Sequence, residues 1–176
     1  MPGYSWNGSA WKKVLRKTMW TGSAWKDIKS SHRWTGSAWE TIYSPFMPSG
    51  MTKNGSWVPT ASAWTTIPGW TANAGSTVSG NGVVANGAKT GAVISGQLSN
   101  VYTGGGYIEV DFRLLLDGVV VKTLMAVAVS AASPTVLISS DPLTVTAGQV
   151  ATIQIGGYYA TYATIQSGAN TYVRIT

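Results

Sequence analysis

The chain has 176 residues, a formal net charge of +6 and no cysteine. Charged residues make up 10% of it, against about 25% in an ordinary soluble domain. These figures exclude disulfides and thiolate metal sites, and the abundance of Gly, Ser and Thr points to short strands and tight turns with almost no helix.

The opening stretch, "MPGYSWNGSAWKK", holds no apolar core of signal-peptide length. The longest uncharged apolar run is "LMAVAV" at 124–129, far short of the roughly 18 apolar residues that span a bilayer. Synthesis in the cytoplasm without a leader, and no membrane insertion, are the expectation.

Next come three near-copies of one motif at a spacing of fourteen residues: "WNGSAW" at 6–11, then "WTGSAW" at 20–25 and at 34–39. Gly8, Gly22 and Gly36 suit tight turns that need a positive φ. A four-residue loop sets Trp6 opposite Trp11, Trp20 opposite Trp25, and Trp34 opposite Trp39. Such cross-strand aromatic pairs stabilise a hairpin. Val14, Ile28 and Ile42 each follow the second Trp by three residues, an odd offset that puts them on the other strand face. Both faces then carry apolar groups, and a hairpin alone is marginal. The pairs read as glue for assembly ahead of platforms for sugar.

The motif then decays. "NGSW" at 54–57 and "ASAWTTI" at 61–67 resemble a degenerate last copy containing Trp64, of the kind that caps a repeat array. Pro45, Pro48, Pro59 and Pro68 argue against a long central strand in this region. All nine tryptophans lie at or before Trp70. The charge divides similarly: residues 1–60 hold eight Lys or Arg and two acids, whereas 61–176 hold four of each sign. A boundary is expected in the Gly/Ser/Asn-rich stretch 69–82, which can itself pair as an edge strand. The predicted organisation is an arm over 1–52, a degenerate repeat and linker over 53–75, and a head over 76–176.

The head begins with short strands expected at 83–85 and 92–98. Its clearest unit is a hairpin about Asp117-Gly118. Ile108, Val110, Phe112, Leu114 and Leu116 form one core face, and Val119, Val121, Thr123, Met125 and Val127 return on it. Arg113 is expected opposite Lys122. Further strands are expected at 135–139, 143–146, 149–155 and 172–175. The fold class is therefore all-β: an arm of Trp-flanked hairpins followed by a β-sandwich or jelly roll.

Little in the chain carries catalysis. His32 is the sole histidine, and it reads as a connector residue rather than a ligand. Glu109 and Asp111 share a strand face, and a mixed-sign solvated face explains them better than a paired-carboxylate site. "TGGGY" at 103–107 leads into a strand, unlike a phosphate loop. No G-x-S-x-G elbow occurs. No enzyme activity, cofactor or metal is expected. Lys12, Lys13, Arg16, Lys17, Lys26, Lys29 and Arg33, with Lys53, form a basic contact surface. It suits a solvated edge or an acidic protein neighbour ahead of nucleic acid.

The tandem "WNGSAWKKV" and "WTGSAWKDI" units resemble the W-x-G-[ST]-x-W repeats of minor tail and accessory virion proteins of tailed bacteriophages, especially those infecting actinobacteria. The head, through "TAGQVATIQI" and "ANTYVRIT", more loosely resembles the trimeric jelly-roll heads of tumour-necrosis-factor-like and complement-type proteins, which phage fibres also use. The resemblance implies a structural protein of the virion, bound to other virion proteins by its arm, with a projecting head that is often a homotrimer; a host cell-surface glycan is a candidate further partner, on which the resemblance of the head says little. Its alternatives are a carbohydrate- or cell-wall-binding module and a capsid decoration or head-fibre protein.

Overall fold

The computed structural model describes residues 4–13, 17–28, 30–43, 45–99, 101–102 and 104–176. Strand is the dominant regular structure, with a single 3-10 turn among the described residues, so the fold is all-β. Two compact units divide it, residues 1–45 and 46–176.

The first unit is three separate two-stranded antiparallel hairpins. They are β1 (Tyr4–Trp6) with β2 (Trp11–Lys13), β3 (Thr18–Trp20) with β4 (Trp25–Asp27), and β5 (Ser31–Trp34) with β6 (Trp39–Tyr43). Each is closed by the same four-residue loop, whose glycine has φ of 98°, 91° and 99° in turn. A Cβ is rarely tolerated there, which explains why glycine stands at that place in every copy.

The second unit is a β-sandwich. Its early strands are β7 (Ser49–Lys53), β8 (Thr65–Thr66), β9 (Trp70–Ala72), β10 (Val78–Ser79) and β11 (Gly82–Val84). β12 (Lys89–Ala92), β13 (Ile94–Leu98), β14 (Tyr107–Leu116) and β15 (Val119–Ser130) follow. The last are β16 (Val136–Ser139), β17 (Leu143–Val145), β18 (Val150–Gly156) and β19 (Gly168–Ile175). One sheet runs β10-β11-β18-β14-β15, with β8 also on β18; the other runs β16-β13-β19-β7-β9. β12 and β17 pair separately.

The two inner faces alternate as a sandwich requires. Ile94, Leu98, Met51, Val173 and Ile175 are buried from one sheet, and Val83, Val110, Phe112, Leu114, Ile153 and Ile155 from the other. Gly96 marks a point of close approach: a Cβ there would lie 3.0 Å from Ile153 Cδ1 on the facing sheet. The strands expected from 83 to 175 all occur, within a few residues of their expected bounds.

The sandwich begins at Phe46, thirty residues before the expected head. The sequence places residues 49–52 at the end of the arm and 53–75 in a degenerate repeat and linker. Instead β7 lies between β19 and β9, and Met51 is fully buried. Ile67 is also fully buried, and its N–H donates to the Ile153 carbonyl. The prolines fall outside these strands, so they shorten the pairing without excluding a central position.

The return face of the long hairpin also differs from expectation. Val119, Thr123 and Met125 are exposed, while Leu124 packs against the core with Val121 and Val127. Two register shifts cause this. Val110 pairs with Val127 but Phe112 pairs with Leu124, and Leu114 pairs with Lys122 but Leu115 with Val120. Each inserts an extra residue into β15 and inverts its phase. At the first bulge Ala126 adopts φ 51°, and its N–H donates to Asp111 Oδ1 at 2.7 Å. Arg113 consequently faces Thr123, not Lys122.

Candidate functional site

The three hairpins bring together the residues singled out by the repeat. Trp6 pairs with Trp11, Trp20 with Trp25, and Trp34 with Trp39, each as the last cross-strand pair before the loop. Ring centroids lie 5.7, 5.7 and 5.5 Å apart, at interplanar angles of 57°, 56° and 56°. This tilted arrangement suits the aromatic quadrupole, and such a pair contributes about 0.5–1.5 kcal/mol beyond area burial. The same object is therefore built three times.

Each loop closes on itself. The N–H of Asn7, Thr21 and Thr35 donates to the carbonyl of Ala10, Ala24 and Ala38 at 3.2, 3.0 and 3.0 Å. Asn7 Oδ1 also accepts from the Ser9 and Ala10 N–H groups, while the Thr21 and Thr35 hydroxyls donate to Ala24 and Ala38. The second motif position is thus a loop lock. Sequence reasoning passed over it, although the restriction of that position to Asn and Thr is its signal.

The indoles remain open within the chain. The first Trp of each pair is 52–55% exposed and the second 68–70%. Ile28, expected on the opposite face, is half-buried. Val14 lies outside the described residues, as do Arg16 and Lys29. Lys13 and Ile42 stand on β2 and β6, with side chains outside the description.

Three basic residues are separated from the rings, whereas Asp27, two residues after Trp25, shares the tryptophan face. Lys12 pairs with Ser5, Lys26 with Met19, and Arg33 with Glu40, each one step from the Trp pair and so on the opposite strand face. Arg33 and Glu40 form an exposed ion pair, a contact of small net worth. Lys12 and Lys26 are exposed, and Lys17 is half-buried. Stacking and phosphate contact on one face, which single-stranded nucleic acid needs, is poorly served by this division. His32 Nε2 lies 3.2 Å from Ser30 Oγ. No group of three metal-binding side chains occurs among the described residues.

Two expected members of the arm belong to the sandwich. Trp64 is half-buried against its sheet, with the Arg113 guanidinium 4.3 Å from its ring centroid and Gly156 beneath it. Lys53 is buried on β7, where Nζ donates to the carbonyls of Asn54, Gly55 and Gly69 at 3.3, 2.6 and 3.4 Å. Burial pushes its pKa below the ordinary lysine value. The degenerate fourth copy forms no hairpin of its own. Trp57 bridges to Ile165, and β8 pairs with β18. Without the four-residue loop, the echo of the motif does not oppose its tryptophans.

No protein-family model and no curated protein matches the chain.

Proposed function

We propose that this chain is a non-catalytic structural accessory protein of a tailed-phage particle, a minor tail or fibre-like protein that attaches through residues 1–45 and displays the sandwich. The observation that carries this reading is the threefold repetition of one open tryptophan pair on one hairpin. Three identical contacts joined by short connectors gain strength through effective concentration, even where each alone is weak. Virion neighbours provide the surface that buries the rings. The resemblance of the repeats to those of minor tail proteins supports the same reading.

Association of the sandwich with further copies, as a homotrimer, belongs to this proposal. β15 lies at the edge of its sheet with Val119, Val120 and Met125 exposed, and Leu137 is exposed on β16. Apolar residues on an uncovered edge favour a subunit contact.

Immunogold labelling of purified particles tests the placement. Label on the tail is the expected result, label on the capsid favours the decoration reading, and unlabelled particles refute both. Replacing Trp20 and Trp25 together by alanine should reduce loading onto particles at least tenfold while the sandwich melts as before. The exposed rings also favour a second reading, in which each pair is a sugar platform on a cell-wall-binding module. A double variant that loads normally but loses cell-wall binding would establish that reading instead.

A further inference from the structure

The sandwich carries an aromatic cluster that the arm does not explain. Between β18 and β19 the chain runs "GGYYATYATIQSG", and Tyr158, Tyr159 and Tyr162 are 79%, 43% and 65% exposed. Tyr158 and Tyr159 meet edge to face, with centroids 4.8 Å apart at 87°. Tyr159 and Tyr162 follow at 6.1 Å and 59°. The rings are contiguous and outward, while their polypeptide is pinned inward. Ala160, Ala163 and Ile165 are fully buried.

The backbone of this turn is tied on several sides. Gly157 N–H donates to the Ser62 carbonyl, Thr164 N–H to that of Val101, and Ile165 and Trp57 exchange both bonds. Ser62 Oγ donates to the Tyr158 carbonyl. The 3-10 turn Ala160–Tyr162 holds the last ring in place. A rigid loop with three outward tyrosines loses little conformational entropy when a ligand binds.

We propose that this tyrosine turn is a binding platform for a neutral saccharide. Aromatic faces cover the apolar C–H faces of a sugar, and the phenol hydroxyls answer its hydroxyl groups. Thr161, Thr164 and Gln166 belong to the same segment and are half-buried neutral hydrogen-bonding residues, Gln166 Oε1 already accepting from Ser56 Oγ. Charge supports neutrality: the segment from 142 to 173 contains no charged residue. The Asp111 carboxylate, which lies against Gly157, already accepts from Ala126 N–H. Arg113, whose partner Trp64 lies on Gly156, is already engaged with that ring and with Gln154 Oε1, and the segment itself offers an anionic glycan no cation. Size separates a sugar from a protein partner. Three tyrosines offer about 150–250 Å² each at most, below the roughly 800 Å² per partner of a stable protein interface.

The inference stands apart from the role of the arm, so either can fail without the other. The full chain is applied to an array of immobilised neutral and anionic oligosaccharides, and its concentration-dependent self-association is followed by sedimentation. Retention on neutral glycans is expected, with about a tenfold or greater weakening in the Tyr158→Ala/Tyr162→Ala variant and an unchanged melt. Tyr158→Phe should keep most of the binding, because the ring face is retained. The weakening caused by Tyr158→Ala/Tyr162→Ala should be the same in the Trp20→Ala/Trp25→Ala background, which separates the tyrosine turn from binding by the arm. Retention on no neutral glycan, preference for anionic ones, or binding indifferent to the tyrosines would overturn the proposal. Loss of self-association in the tyrosine variant would also overturn it, since a second copy would then occupy the surface.

Discussion

Asp117 and Val150 bind each other twice. The Asp117 N–H donates to the Val150 carbonyl at 2.9 Å, and the Val150 N–H donates to Asp117 Oδ1 at 2.8 Å. The turn of the longest hairpin is thereby fastened to the neighbouring strand β18. Asp117 and Gly118 have φ of 48° and 81°, the pair of positive values that a type I′ turn demands.

Substitution of that glycine should consequently be severe. Gly118→Val places a β-branched side chain in left-handed backbone, a strain of about 1–3 kcal/mol. A slip to relieve it would turn the core face of β14 outward. We expect insoluble protein or a melting point lowered by several degrees, read by circular dichroism. Wild-type melting would refute the assignment. Asp117→Ala, which removes the acceptor for Val150 and also puts alanine in left-handed backbone that Asp tolerates better, should cost about 1–3 kcal/mol.

The boundary at Phe46 makes a prediction about fragments. Residues 46–176 contain both sheets complete and should melt cooperatively without the arm. Residues 76–176 lack β7 and β9, exposing one side of β19 and removing fully buried Met51 and Ile67. That shorter piece should fail to show a cooperative transition or fixed near-ultraviolet dichroism. Equal cooperativity of the two fragments would contradict the strand order.

Trp64 should behave unlike the paired tryptophans. Trp64→Ala removes a half-buried indole and its contact with the Arg113 guanidinium. A loss of about 2–3 kcal/mol in chemical denaturation of residues 46–176 is expected. No change would mean that the ring is ornamental to the sandwich.

Lys53 gives the sandwich an alkaline pH dependence. Its pKa in the folded chain lies below the ordinary value of 10.5 because burial disfavours the ammonium. Between the lowered value and 10.5, the unfolded chain holds a proton that the folded chain has released. Stability then rises with pH across that window. Relative to Lys53→Met, the parent protein should gain stability as pH climbs toward 10.5, measured by urea unfolding. A flat or falling difference would show that the three carbonyls fully compensate the burial.

Local chemistry made much of this architecture readable in advance. The Asp-Gly turn, the alternation of Ile108 through Leu114, and the opposition of tryptophans around each loop depend on nearest neighbours, and all occur as expected. The phase of β15 was not readable, because its bulge depends on Asp111 across the ladder accepting the Ala126 N–H. The role of residues 46–75 was hidden for a similar reason. Met51 and Ile67 sit in short, proline-punctuated stretches whose partners are about a hundred residues away in sequence. Trp64 and Lys53 took their expected roles from composition near the arm, and their burial is decided by those distant partners. The tyrosine turn left a trace in "YYATY", but its outward rings become evident only once Ala160, Ala163 and Ile165 are seen to be pinned.

The position of β19 bears on how the protein is made. It lies between β13 and β7, touching the earliest strand of the sandwich with one edge. Each hairpin of the arm needs only about a dozen contiguous residues and can close while translation continues. The five-stranded sheet has no such freedom, because its middle strand ends at Ile175. During synthesis the facing edges of β7 and β13 wait for a strand still inside the ribosome. Non-local pairing of this kind is slow and exposed to aggregation. A nascent chain stalled before residue 168 should therefore present an open, chaperone-binding half-sandwich, whatever the state of its hairpins.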